Sequence, residues 1–97
     1  MAGFRREGTF RDRDRFLESL RGALSRLREG ALQGMTETWE RAGDADVARL
    51  AGFGARVEFT VAASSWTCSV EAPPWLPIPL SAVEAKFDEK MAPLHGL

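Results

Sequence analysis

The sequence predicts an α+β fold: an N-terminal helix, an antiparallel sheet of about four strands in a meander, and a C-terminal helix. Three observations carry this reading. Apolar residues recur at three- and four-residue steps between Asp12 and Glu29; apolar and polar residues alternate across 55–72; and a proline-rich crossing at 73–79 is followed by a second helical spacing. A chain of 97 residues fits one domain over 1–97 and leaves no room for a second core. Its 44% hydrophobic and 28% charged residues give the balance of a globular chain rather than a disordered one.

Taken in order, residues 1–10 hold Gly3 and Gly8 and no sustained apolar period, which reads as a mobile lead-in or at most a short edge strand. From Asp12 to Glu29, Phe16, Leu20, Ala23, Leu24, Leu27 and Ala31 build one apolar helix face. Asp12 and Asp14 near its start and Arg26 and Arg28 near its end each suit the adjacent pole of the helix dipole, and Gly30 supplies a stop. Met35–Arg41, with its threonines and Trp39, reads as a strand with Trp39 pointing into the core, and Ala42-Gly43-Asp44 as the turn after it.

The run from Asp46 to Phe53 fits either a helical turn or a strand, and its short length between glycine sites favours a strand ending in a Gly52-Phe53-Gly54 turn. Val57, Phe59 and Val61, then Trp66, Cys68 and Val70, form the inward rows of a hairpin. Four of the five prolines lie in 73–79 and end the sheet, because proline lacks a ladder N–H. Ser81 with Glu84 fits a capping box, Val83, Phe87 and Met91 share a face of the closing helix, and 93–97 reads as a tail.

The net charge of −1 is unevenly spread: residues 1–28 hold eight arginines against four acids, and the remainder is acidic. No apolar run approaches the roughly 20 residues of a spanning helix, and the N-terminus lacks an apolar signal core. The single cysteine, Cys68, has no internal partner, and with one histidine it falls short of a zinc site. A cytoplasmic protein without cofactor or metal is therefore expected.

Catalytic constellations fail on geometry or ligand number. His95 lies in the tail and Cys68 in an inward strand row, so they make a poor nucleophile pair. Asp44, Asp46 and Glu40 lack the other ligands of a calcium loop, and Gly52-x-Gly54 precedes a strand instead of opening a helix, which removes it as a dinucleotide fingerprint. No catalytic residue, and hence no enzyme, is predicted. Clustered cations on the first helix, Arg11, Arg15, Arg21 and Arg28, are candidates for nucleic acid or an anionic surface. Interleaved acids favour a solvated, salt-bridged face over that use.

The proline segment is the leading contact candidate: Trp75, Leu76 and Ile78, with Pro74 and Pro77, place large apolar side chains on a stretch that cannot enter a sheet.

The opening helix, Trp39-Glu-Arg-Ala-Gly43-Asp44, the hairpin approach Gly52-Phe-Gly-Ala-Arg-Val57, and the closing helix Val83-Glu-Ala-Lys-Phe87 carry a family resemblance. Over about residues 12–92 the chain resembles the small bacterial proteins grouped as the polyhydroxyalkanoic acid system family, encoded near genes for storage-polymer granules. The resemblance implies an accessory role at granules or in polymer metabolism and transfers no catalytic residue. A non-catalytic protein that binds a protein partner or a hydrophobic granule surface is the expected function. The alternatives are an apolar-ligand module with a pocket lined by Trp39, Phe59 and Trp66, and an electrostatic binder acting through the first helix. An unpaired sheet edge further predicts a homodimer.

Overall fold

The structure, a computed structural model, describes residues 2–30, 33–73, 79–94 and 97. Its elements run β1 (Ala2–Thr9), α1 (Arg13–Glu29), β2 (Thr36–Ala42), β3 (Ala45–Gly52), β4 (Ala55–Val61), β5 (Ser65–Ala72), α2 (Leu80–Met91) and a short 3-10 turn, Ala92–Leu94. The fold is α+β. The sheet is antiparallel in the order β1-β5-β4-β3-β2, so the four-strand meander is present and a fifth strand joins its far edge.

That fifth strand corrects the expected lead-in at 1–10. Residues 2–9 pair with β5 along their whole length, from Ala2 opposite Ala72 to Thr9 opposite Ser65. The alternation is hidden because the inward row reads Phe4, Arg6, Gly8, Phe10. Arg6 is accommodated by α2, where Nε donates to Asp88 Oδ1 at 3.1 Å and Nη2 to Glu84 Oε1 at 3.4 Å. Gly8 leaves room for the Trp66 indole, since a Cβ there would lie 2.7 Å from Nε1.

α1 forms where the apolar period places it. Asp12 is its N-cap, with Oδ1 accepting the Arg15 N–H at 3.2 Å, and Gly30 closes it. Phe16, Leu20, Ala23 and Leu24 are buried against the sheet. On the sheet side the core consists of Ala48, Leu50, Val57, Phe59, Val61, Trp66, Cys68 and Val70, one alternating set from three adjacent strands. Met91 and Leu94 complete it from α2 and the turn beyond. The opposite face of the sheet carries Arg5, Glu7, Thr36, Thr38, Glu40, Arg49, Arg56, Glu58, Thr60 and Thr67, a polar surface where Arg49 pairs with Glu58 at 2.9 Å and with Glu40.

Five of the six phenylalanines and Trp66 form one aromatic run through this core. Ring centroids step from Phe10 to Phe16 (4.9 Å), Trp66 (6.0 Å), Phe59 (6.2 Å), Phe87 (5.9 Å) and Phe4 (5.5 Å). These spacings are the ones aromatic pairs favour, and the run ties both helices to β1, β4 and β5.

Two local expectations change and a third is met in part. α2 begins at Leu80 with Pro79 as N-cap and no side-chain cap bond, so Ser81 and Glu84 form no capping box; Glu84 turns to Arg6 instead. Trp39 takes the expected inward direction, opposite Ala48 and packed against the core, but it remains half-buried because β2 is an edge strand. The expected tail holds buried Leu94, and the Leu97 carbonyl accepts the Arg11 and Asp12 N–H groups at 3.1 and 2.9 Å. Those backbone bonds join the chain's last residue to the entrance of α1.

Candidate functional site

Pro74, Trp75, Leu76, Pro77 and Ile78 lie outside the described residues, as does His95. Their flanks are fixed. Pro73 is buried directly after β5, and Pro79 is the exposed N-cap of α2. The register places this exit beside a particular turn: Arg56 stands opposite Glu71, so Ala55 and Ala72 are at the same end of neighbouring strands, about 5 Å apart. Ala55 closes the β3–β4 hairpin.

The two residues of that hairpin turn both have positive φ, Phe53 at 56° and Gly54 at 78°, between the paired residues Gly52 and Ala55. Positive φ at both central positions defines a type I′ turn, whose twist matches that of the strands. Glycine, asparagine and aspartate suit its first position; a bulky L-residue there costs about 1–2 kcal/mol of backbone strain. Phe53 is the non-glycine residue in this conformation among the described residues, and it is also 64% exposed. Its ring edge rests on Gly34, where a Cβ would lie 2.9 Å from Cζ. The rest of the ring faces solvent.

Ala51–Ala55 and Gln33–Thr36 carry no charged side chain of their own, but exposed Arg56 pairs with Ala51 in the ladder and Arg28 Nε donates to the Met35 carbonyl, so cations lie directly beside the tip. Sequence reasoning treated Gly52-Phe53-Gly54 only as a turn. The signal was present: a two-residue loop between strands demands positive φ, and phenylalanine is a poor occupant of that position.

The candidate cations separate into two groups. Arg21 lies with Cζ 4.1 Å from the Trp39 ring centroid, while the Trp39 indole donates to Glu37 Oε2 at 2.7 Å. Arg28 Nε donates to the Met35 carbonyl at 3.3 Å, with Nη1 3.6 Å from Glu37 Oε1. Arg21 and Arg28 are thus turned to β2, whereas Arg11 and Arg15 are exposed and form no ion pair among the described residues. Where cations of this head are paired, their partners lie on distant elements rather than within α1. Arg13 is the clearest case: Nη2 meets Asp46 Oδ2 at 2.8 Å and Nε donates to the Ala62 carbonyl at 3.0 Å. Asp46 also faces Arg41 at 3.8 Å, so two acids of the calcium-like cluster, Asp46 and Glu40, are held by arginines.

Of the residues proposed to line an apolar pocket, Phe59 and Trp66 have their ring neighbours already in place: Phe59 contacts Phe87 and Trp66, and Trp66 contacts Phe16. Trp39 is on the edge strand, beneath Arg21. Among the described residues, neither groove found is lined by any of the three. A groove of about 250 Å³ between α1 and the end of α2 is lined by Glu18, Ser19, Gly22, Arg26, Lys90 and Leu94, among others. Cys68 is buried, and desolvation pushes its thiol up from 9.0 to about 12, against a smaller opposing pull from Arg6. It stays a protonated core side chain at neutral pH. Among the described residues no three histidine, cysteine or acidic side chains gather as metal ligands, and no helix is long and apolar enough to cross a membrane.

No protein-family model matches the sequence, and no curated protein does.

Proposed function

We propose that this chain is a non-catalytic accessory protein that binds a hydrophobic particle surface, with storage-polyester granules as the setting suggested by the family resemblance. One observation carries the reading: the segment holding Trp75, Leu76 and Ile78 starts at buried Pro73, beside the β3–β4 turn, and ends at the N-cap of α2. The inner face of the sheet that these flanks adjoin is already packed by helices, and the segment's own sequence carries three large apolar residues. A protein partner on the same segment is the neighbouring form of this reading. Cytoplasmic location and a homodimer joined through β1 or β2, the two outer strands, belong to the same proposal.

Co-sedimentation with amorphous poly(3-hydroxybutyrate) particles tests it. The wild-type chain is expected to pellet with the particles, and a variant with Trp75, Leu76 and Ile78 changed to serine is expected to stay in solution. Equal association of the two removes the segment from the mechanism.

A further inference from the structure

The sheet ends in two outer strands, β1 and β2, and they differ in what each offers to a second copy of this chain. At β2 the two-residue turn Gly43-Asp44 is closed by Ala42 opposite Ala45. Residues that close such a turn exchange both backbone bonds, and bonded and unbonded pairs then alternate along the ladder. Ala42, Glu40, Thr38 and Thr36 therefore bond to β3, while Arg41, Trp39 and Glu37 direct their N–H and C=O groups away from it. Those outward groups have no hydrogen-bond partner among the described residues.

The side chains of the same three residues share the inner face of the sheet, opposite Leu50 (Glu37), Ala48 (Trp39) and Asp46 (Arg41). We infer that two copies of this chain pair edge to edge through antiparallel β2 strands, about a two-fold axis at Trp39, joining two five-stranded sheets into one. This rests on the edge-strand homodimer of the reading above and names its strand and register. With the axis at Trp39 the strands overlap along all of 36–42. Glu37 then stands opposite Arg41, Trp39 opposite Trp39, and Arg41 opposite Glu37. Opposite charges and an aromatic pair are the cross-strand combinations that stabilise a ladder.

Neighbouring registers lose this match. An axis at Glu40 sets Glu40 against itself and Trp39 against Arg41, and an axis at Thr38 separates Glu37 from Arg41. Inward charges usually guard an edge against pairing; here they admit one register and oppose those beside it. Arg41 is free to serve, being exposed and 3.8 Å from Asp46. Glu37 is held in place on the inner face by the Trp39 indole at 2.7 Å and Arg28 at 3.6 Å.

β1 lacks this complementarity. The Phe10 N–H donates to the Ser64 carbonyl at 3.3 Å, so by alternation Gly3, Arg5, Glu7 and Thr9 direct their backbone groups outward. The Arg5 carbonyl already accepts the Arg6 guanidinium at 2.9 Å. An axis at Arg5, Arg6 or Glu7 sets that residue's charge against its own copy.

Sedimentation equilibrium and residue-resolved amide exchange on the full chain test the pairing. Two seven-residue strands make a small interface, so a dissociation constant on the order of micromolar is expected. At tens of micromolar the wild type should sediment near twice the 10.7 kDa of one chain. The amides of Glu37, Trp39 and Arg41 should exchange about tenfold more slowly when concentration is raised about a hundredfold from micromolar, with those of β1 unchanged. Glu37→Arg and Arg41→Glu should each weaken self-association about tenfold or more, because like charges then meet at both ends of the row. An equimolar mixture of the two variants should dimerise again, since each carries the charge the other lacks. The wild-type exchange pattern decides the question if either variant fails to fold. A one-chain mass throughout overturns the pairing and the homodimer together and leaves surface binding, read by co-sedimentation, untouched. A dimer whose concentration-dependent protection falls on β1, or on neither edge, overturns the β2 pairing and keeps the homodimer. A mixture of folded variants that associates no more tightly than either alone overturns the register.

Discussion

Phe53 and Phe59 lie on one hairpin, six residues apart, and meet opposite environments. Phe59 is 1% exposed, between Trp66 and Phe87, in ordinary strand backbone; Phe53 is 64% exposed in a left-handed turn. The same side chain contributes to stability at the first position and detracts from it at the second. Burial of a phenylalanine is favourable because its apolar surface leaves water, and at the tip that gain is mostly absent while the backbone cost remains. The contrast separates a phenylalanine that burial stabilises from one that it does not.

The strongest way to break the contrast is at its buried end. Phe59→Ala is expected to lower unfolding free energy by about 3–5 kcal/mol in urea titration, since it opens a void in the aromatic run. A loss no larger than that of a surface substitution would show that the run is not the core.

A second measurement sharpens how dry that buried end is. Cys68 stands directly across from Phe59 in the β4–β5 ladder, with its thiol raised to about 12. Below pH 9 the folded and unfolded chains both hold the proton, so this group leaves stability unchanged. Between pH 9.0 and about 12 the unfolded chain releases it and the folded chain retains it, so stability should fall by about 1.4 kcal/mol per pH unit. Comparing wild type with Cys68→Ala across that range isolates the effect. Parallel pH profiles would mean that water reaches the thiol.

The smallest expected change concerns the two hairpin turns. At β2–β3 the positive φ, 63°, falls on Gly43, with nothing within 4 Å of the place a Cβ would take; Gly43→Ala should cost about 1 kcal/mol through backbone strain alone. Phe53→Asn should act with the opposite sign, raising stability by about 0.5 kcal/mol or leaving it unchanged. If thermal melts show Phe53→Asn to be clearly destabilised, the contact with Gly34 outweighs the strain, and the tip is a folding element.

Much of this fold was legible because local periodicity reports local structure. The apolar spacing of Phe16, Leu20, Ala23 and Leu24 placed α1 to within a residue, and Val57-Glu-Phe-Thr-Val61 placed β4 with its inward row. β1 was illegible for a specific reason. Two of its inward positions are Arg6 and Gly8, and each makes sense only through a partner far along the chain, Asp88 for the arginine and Trp66 for the glycine. The arginine-rich head was legible in part: that its charges would be paired was visible, but that the partners lie on β2, β3 and α2 was not.

The sequence by itself therefore determined the α+β class, the first helix, the β4–β5 hairpin and the apolar character of 73–79, all properties set by residues within a few positions of one another. Tertiary structure alone decided that β1 closes the sheet, that Arg13 and Arg28 bind strands, and that of six phenylalanines Phe53 stands outside the aromatic run. Those outcomes depend on which distant surfaces meet when the chain packs. A turn signal in a linear sequence gives the direction of the backbone and leaves open whether its side chain will find a neighbour.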